Sequence, residues 1–162
     1  MVDVTLACKQ IHNLDLGGVR KALIERDGMP APQAEKALTL YRAFLELAAR
    51  HPDDHVAPPT LADLAWHHHM LDSQRYFRDC HAIFGGYLHH DPHVFGTDDF
   101  RQSWARTRDL FRQHFGVILE ENPDVAGTGD TAPSLCYVAG IAELAPSLCY
   151  VAGITPFERA VA

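Results

Sequence analysis

The segment PQAEKALTLYRAFLELAARHP, residues 32–52, decides the fold class. Its apolar residues Leu38, Tyr41 and Leu45 recur at steps of three and four, which places them on one face of an α-helix. Pro32 suits the first turn of that helix because a residue there needs no N–H partner, and Pro52 ends the helix. The segment therefore predicts one long amphipathic helix with a buried face.

Three more helices follow from similar patterns, at residues 15–26, 60–84 and 98–115. Thr60 and Asp63 have nearly the spacing of a capping box at the start of the second one, and Gly85 ends it. The stretch YLHHDPHVFG, residues 87–96, is predicted to be a loop. Because no strand alternates with these helices, we predict a mainly α fold, a compact helix bundle.

The composition argues against two classes of partner. A formal charge of −7 does not supply the basic surface that binding to a nucleic-acid backbone needs. No apolar run approaches the roughly 18 residues of a membrane helix, and the first ten residues lack the basic and apolar blocks of a signal peptide. We therefore expect a cytoplasmic protein that binds neither nucleic acid nor membrane.

Histidine is unusually abundant, with 11 copies that all lie within residues 12–114. On a regular helix His67 and His69 lie about 200° apart, so one ion cannot take both. A metal site would therefore combine one of them with the downstream stretch 89–93. Imidazole with carboxylate suits Zn, Fe or Cu. The predicted metal ligands are His67, His69, His89 and His90.

Two alternatives to a metal site remain open for the same stretch. Trp66, His67, Asp72 and Tyr76 can satisfy one another as a buried polar network that fixes the packing. Asp72 and Tyr76 are otherwise the candidates for acid–base catalysis without a metal. Cys80 is predicted to be a small buried residue rather than a nucleophile.

The stretch WHHHMLDSQRYFRDCHAIFGGYLHHDPHVFG, residues 66–96, followed by TRDLFRQHFG, residues 107–116, resembles the bacterial branch of the glycine-rich domain-containing protein-like family. The matching positions are Trp66, His67, His69, Leu71, Asp72, Tyr76, Asp79, Cys80, Phe84, Gly85, His89 and His90. The resemblance covers residues 32–116 and implies a helical domain with a His/Asp/Tyr/Cys cluster, without implying a particular reaction. The chain departs from the family pattern after His90, where Asp91-Pro92-His93 replaces an aromatic-Pro-aromatic run.

The decapeptide APSLCYVAGI occurs twice without a difference, at residues 132–141 and 145–154. The stretch NPDVAGTGDTAP, which leads into the first copy and shares its Ala132-Pro133, has the composition of a flexible linker, and every histidine precedes it. The helix bundle is therefore predicted to carry an appended, flexible or weakly β repeat tail. The predicted parts are a helical His-rich domain at 1–121, a linker at 122–131, tandem repeats at 132–154 and a C-terminal end at 155–162.

Three interpretations of the repeat remain open. The first is structural, because SLCYV is rich in residues that favour strands. The second is a recent duplication without a function. The third is that each copy is a unit recognised by a peptide-modifying enzyme or a protease, and the layout then resembles the precursor of a ribosomally synthesised, post-translationally modified peptide. The residues predicted to be modified are Cys136, Tyr137, Cys149 and Tyr150, because thiols and phenols are the reactive groups of the unit.

Three functions are compatible with this sequence. The first is a precursor protein whose helical domain, with or without a bound Cu, Fe or Zn ion, presents the Cys-Tyr repeats for modification by another enzyme or by its own metal. The second is a metal-dependent hydrolase or oxidoreductase that uses His67, His69, His90 and Asp72. The third is a binding module whose tail adds a strand to a partner. The sequence leaves open whether the chain is itself an enzyme.

Overall fold

A computed structural model describes residues 2–91, 93, 96–119 and the backbone of 150–156. The elements in these residues are α1 (Val4–His12), α2 (Gly17–Glu25), α3 (Ala31–Arg50), α4 (Thr60–Leu71), α5 (Ser73–Phe84), β1 (Gly86–Asp91), α6 (Asp98–Phe115) and β2 (Tyr150–Pro156). The predicted mainly α class is confirmed for this part of the chain. None of these helices is long and apolar enough to cross a membrane. The predicted linker and the first repeat lie outside the described residues, so the domain boundaries stay a prediction.

The long helix α3 is the centre of the core and packs against α1, α2, α4 and α6. The three residues whose spacing predicted it, Leu38, Tyr41 and Leu45, are buried, and so is Phe44. Burying a large apolar side chain contributes about 1.5–3 kcal/mol, so this face supplies much of the stability of the bundle. The helix ends at Arg50, close to the end that Pro52 predicted.

The prediction of one continuous helix over residues 60–84 is wrong, because the chain breaks between α4 and α5 at Asp72. The Asp72 backbone N–H donates to the carbonyl of His69 at 3.1 Å. Its carboxylate accepts from the backbone N–H of Arg75 at 3.4 Å and so caps α5. A short acidic side chain that bonds to nearby backbone competes with a continuing helix, which is the reason for the break.

The capping box predicted at the start of α4 is also wrong. The N-cap is Pro59, and no side chain caps the first turn. Asp63 instead lies almost fully buried in α4, with its backbone N–H bonded to the Pro59 carbonyl at 2.9 Å. Its carboxylate is therefore available for another partner.

The predicted loop at 87–96 is wrong over its first part, because β1 covers Gly86–Asp91. This strand pairs antiparallel with β2, so that His90 lies opposite Val151 and Asp91 opposite Tyr150. The register shifts between Leu88 and His90, where two steps along β1 match three along β2. Backbone from the second decapeptide is thus the partner of the strand that follows α5.

A buried hydrogen-bond chain fixes β1 beside α4. The indole N–H of Trp66 donates to the hydroxyl of Tyr76 at 2.8 Å, and that hydroxyl donates to the Leu88 carbonyl at 2.6 Å. All three residues are buried. Because α4, α5 and β1 each contribute one group, this chain sets the position of the residues that follow Leu88.

Two glycine substitutions are expected to have opposite effects on stability. Gly85 ends α5 with φ of 67°, a backbone conformation that costs an L-residue about 1–2 kcal/mol, although nothing lies within 4 Å of an added Cβ. Gly18 lies inside α2 with equally open space, where alanine gains about 0.5–1 kcal/mol. Gly85→Ala should therefore lower the urea midpoint and Gly18→Ala should raise it. Equal effects of the two substitutions would contradict the left-handed conformation at Gly85.

Candidate metal centre

Helix α4 and strand β1 bring together one carboxylate and two imidazoles. Asp63 and His67 are one helical turn apart on α4, and His90 comes from β1. The Asp63 carboxylate lies 3.3 Å from His67 Nδ1 through one oxygen and 3.3 Å from His90 Nε2 through the other. Each of the three residues offers one ligand atom, and these atoms all lie within 4.8 Å of one another.

The two imidazole rings are held in place by their neighbours. The His67 and His90 rings meet edge to face with centroids 4.5 Å apart, and His90 also packs against the Trp66 indole at 4.7 Å. The Nδ1–H of His67 donates to the main-chain carbonyl of Asp63 at 2.7 Å, which leaves Nε2 of that ring as the lone-pair donor. Both rings are thus fixed by packing, and the His67 ring also by a main-chain hydrogen bond.

Burial and mutual bonding set the charges in the cluster. Burial alone would raise the pKa of the Asp63 carboxyl, but hydrogen bonds from His67 and His90 outweigh it and lower that pKa. Burial alone would lower the pKa of His67, but its bond and attraction to Asp63 raise that pKa. The cluster therefore favours an anionic Asp63 beside a His67 ring that binds its proton more firmly, and a metal ion bound by His67 would have to displace that proton.

Two histidines with one carboxylate form a donor set that suits Zn or Fe, and Cu also accepts imidazole ligands. The side-chain exposure is 5% for Asp63, 9% for His90 and 33% for His67. The site is therefore sheltered on the Asp63 side and open to solvent past His67. Three protein ligands leave coordination positions open for water or another small ligand.

His69 does not join this cluster, although it was a predicted ligand. It is 2% exposed, and both of its ring nitrogens are engaged. The Tyr41 hydroxyl lies 2.9 Å from Nδ1, and Asp79 lies 3.0 Å from Nε2. Burial lowers the pKa of His69 despite the nearby Asp79, so the neutral ring accepts from Tyr41 and donates to Asp79.

The other predicted site residues have different surroundings. His89 is exposed and lies on the side of β1 opposite to His90, with its ring 4.9 Å from that of Tyr87. Asp72 is an exposed helix cap, 3.5 Å from the Arg75 guanidinium. The buried hydroxyl of Tyr76 has a donor and an acceptor, and burial raises its pKa far above the ordinary value. Asp72 thus acts as a cap and Tyr76 as a link in the buried hydrogen-bond chain, and their role in acid–base catalysis stays a prediction.

Part of the predicted polar network is present in a different arrangement. Trp66 and Tyr76 bond to each other, whereas His67 bonds to Asp63 and Asp72 stays on the surface. Cys80 is buried, in agreement with its predicted packing role, and burial raises the pKa of its thiol.

The sequence did not predict Asp63 as a ligand, because its spacing from Thr60 suggested a helix cap. Its i, i+4 spacing to His67 was a signal that could have identified it.

Of the residues predicted to be modified, Cys136, Tyr137 and Cys149 lie outside the described residues, and Tyr150 is the first residue of β2.

No protein-family model, no curated protein and no solved structure matches this chain. The resemblance to the glycine-rich domain-containing protein-like family therefore stays a prediction based on the motif.

Proposed function

We propose that this chain is a precursor protein whose helical domain binds a transition metal ion and presents the Cys-Tyr repeats for post-translational modification. The observation that supports it is the double role of β1. This strand supplies His90 to the Asp63–His67–His90 cluster, and it pairs with Tyr150–Pro156, which begins inside the second decapeptide. The candidate metal centre and the repeat thus share one strand.

The identity of the two copies fits this role. A backbone ladder reads main-chain groups, so any copy of YVAGI can take the place that Tyr150–Ile154 occupies on β1. The same five residues recur at 137–141. The ladder itself does not require identical side chains, so the identity of the two units is instead attributed to their modification by the same chemistry.

The modification itself is proposed for the thiols of Cys136 and Cys149 and the phenols of Tyr137 and Tyr150. A separate peptide-modifying enzyme acts on them in trans, or a Cu or Fe ion held by the Asp63–His67–His90 cluster would supply oxidative chemistry in cis, with dioxygen as the electron acceptor. Tethering raises the concentration of the repeat near the helical domain in either case.

The test of the precursor role is the intact mass of the full chain. The chain is co-expressed with its neighbouring genes and, separately, incubated aerobically with Cu²⁺ or Fe²⁺ after purification. The expected result is a mass change that maps to the repeats, and that is absent from a variant with Cys136→Ala and Cys149→Ala when the thiols are the target. An unchanged mass under all of these conditions would overturn the proposal.

Pairing of the second copy with β1 has its own test in two matched substitutions. Val151 lies opposite His90, and proline there removes an N–H from the chain that pairs with β1. Val151→Pro is therefore expected to speed hydrogen exchange in β1, measured by mass spectrometry, whereas Val138→Pro in the first copy leaves exchange unchanged. No effect of Val151→Pro, either alone or combined with Val138→Pro, would contradict the β1–β2 pairing, and an effect seen only in the double variant would show that the first copy can replace the second on β1.

An enzyme role is the second candidate, and the donor set favours it for a specific reason. Two histidines and one carboxylate leave coordination positions that a substrate can occupy, as in catalytic zinc and non-haem iron sites. Turnover of an external substrate that is lost in His90→Gln, together with an unmodified repeat, would favour this function over the precursor role.

A further inference from the structure

We propose that His51 and His114 form a second, surface metal site for an ion of the Zn²⁺, Ni²⁺ or Cu²⁺ type. Their Nε2 atoms lie 2.9 Å apart, with the two rings edge to face at a centroid distance of 5.1 Å. Neither residue belongs to the Asp63–His67–His90 cluster, and the inference does not depend on the proposed function.

The distance between the two nitrogen atoms suits chelation. Imidazole nitrogen binds Zn²⁺ at about 2.0–2.1 Å, so two nitrogens that meet at about 90° on one ion are about 2.9 Å apart. A tetrahedral angle needs a separation of about 3.3–3.4 Å, which a small side-chain rotation provides. In the structure this separation is a hydrogen bond between the two rings, so an ion would replace the shared proton, with a small rotation of each ring bringing both lone pairs to it and water filling the remaining positions.

Two helix ends give this place a field that favours cations. His51 is the C-cap of α3, and His114 lies in the last turn of α6, which Gly116 terminates. The C-terminal end of a helix carries the negative end of its dipole, so two such ends attract positive charge to the space between the rings. Because both histidines are fixed at helix ends, little backbone freedom is lost on binding.

A carboxylate lies close to one of the two rings. Asp54 lies 3.6 Å from Nδ1 of His51, on the nitrogen that does not face His114. At 3.6 Å this is an ion-pair contact and not a hydrogen bond, and the same Asp54 oxygen also accepts from Arg106 at 2.7 and 2.9 Å. The Asp54 charge would still help to orient the ring and strengthen it as a ligand. Arg50 contacts Glu46 at 3.5 Å, and the charges of Arg106 and Arg50 oppose a cation at His51 despite this pairing.

The experiment separates this pair from the first cluster by using a full-length background chain with His67→Gln and His90→Gln. Zn²⁺ and Ni²⁺ are titrated into it at pH 7.5 by calorimetry, and the melting temperature is measured with and without ion. The expected result is one equivalent bound and a rise in melting temperature, because the ion joins α3 to α6. Adding either His51→Gln or His114→Gln should lower the affinity at least about tenfold and remove the rise.

The matched control is His12→Gln at the end of α1, which should leave both readouts unchanged. Asp54→Asn should weaken binding by about tenfold without changing the number of ions, because it acts through His51. Circular dichroism checks that each variant is folded, and two independent ligand variants guard against the failure of one. Binding that is absent in the background chain, or equal with and without His51 and His114, would overturn the proposal. Either outcome leaves the test of the precursor role intact.

Discussion

Replacing His69 by alanine is expected to lower the free energy of unfolding by about 3–5 kcal/mol. The side chain is 2% exposed and lies between the Tyr41 hydroxyl at 2.9 Å and the Asp79 carboxylate at 3.0 Å. Its removal leaves both groups without this partner and opens a cavity between α3, α4 and α5. Urea unfolding followed by circular dichroism measures the loss.

The matched control for this prediction is His89→Ala. His89 is exposed on β1, and its removal should change stability by no more than about 0.5 kcal/mol. Tyr41→Phe removes only one hydroxyl and should cost about 1–3 kcal/mol, because it leaves a buried nitrogen of His69 unsatisfied. Equal costs for His69→Ala and His89→Ala would show that the buried chain from Tyr41 to Asp79 does not hold the bundle together.

His67 and His69 show what a sequence pattern does and does not determine. Helical geometry alone separates His67 from His69 by their angle, and the structure sends them to different partners, Asp63 and Asp79. Periodicity therefore shows which residues share a face. It does not show which face meets a carboxylate from another part of the chain, because that depends on tertiary packing.

The helix predictions also succeed where local signals decide the structure and fail where a single side-chain bond decides it. The bounds of α6 match the prediction because Thr97 and Gly116 mark its ends locally, with a side-chain cap and a left-handed residue. The break at Asp72 was missed because one side-chain bond decides it within an otherwise continuous helical pattern. The short α1 was not predicted at all.

Strand β1 could not be predicted because its pairing is long-range. Its local sequence, GYLHHD, has little strand character, and its partner is more than 50 residues further along the chain. Asp63 was missed for a related reason: only the approach of His90 from β1 turns the Asp63–His67 pair into a possible three-ligand group. The sequence shows that Asp63 and His67 share a helix face. It does not show that His90, from a distant strand, lies beside them.

Substituting His90 by glutamine is expected to weaken metal binding at the first cluster by at least about 100-fold. Even the outer partners of metal ligands are typically worth 10–100-fold, and His90 is one of only three direct donors. The measurement is competition with a chromophoric chelator for Zn²⁺ or Co²⁺, in a chain with His114→Gln so that the second pair does not contribute.

The adjacent residue supplies the control, since His89 and His90 have the same chemistry and lie on opposite sides of β1. His89→Gln should keep the wild-type affinity. Asp63→Asn should also weaken binding, because the amide lacks the negative charge that Asp63 brings into a nearly buried position. If His89→Gln and His90→Gln lose affinity equally, the ion is bound through the general histidine content and not through the Asp63–His67–His90 cluster. If only His90→Gln and Asp63→Asn lose affinity, the ligand that β1 contributes is the one on the side of α4, and the strand that pairs with the second decapeptide is also the strand that completes the metal centre.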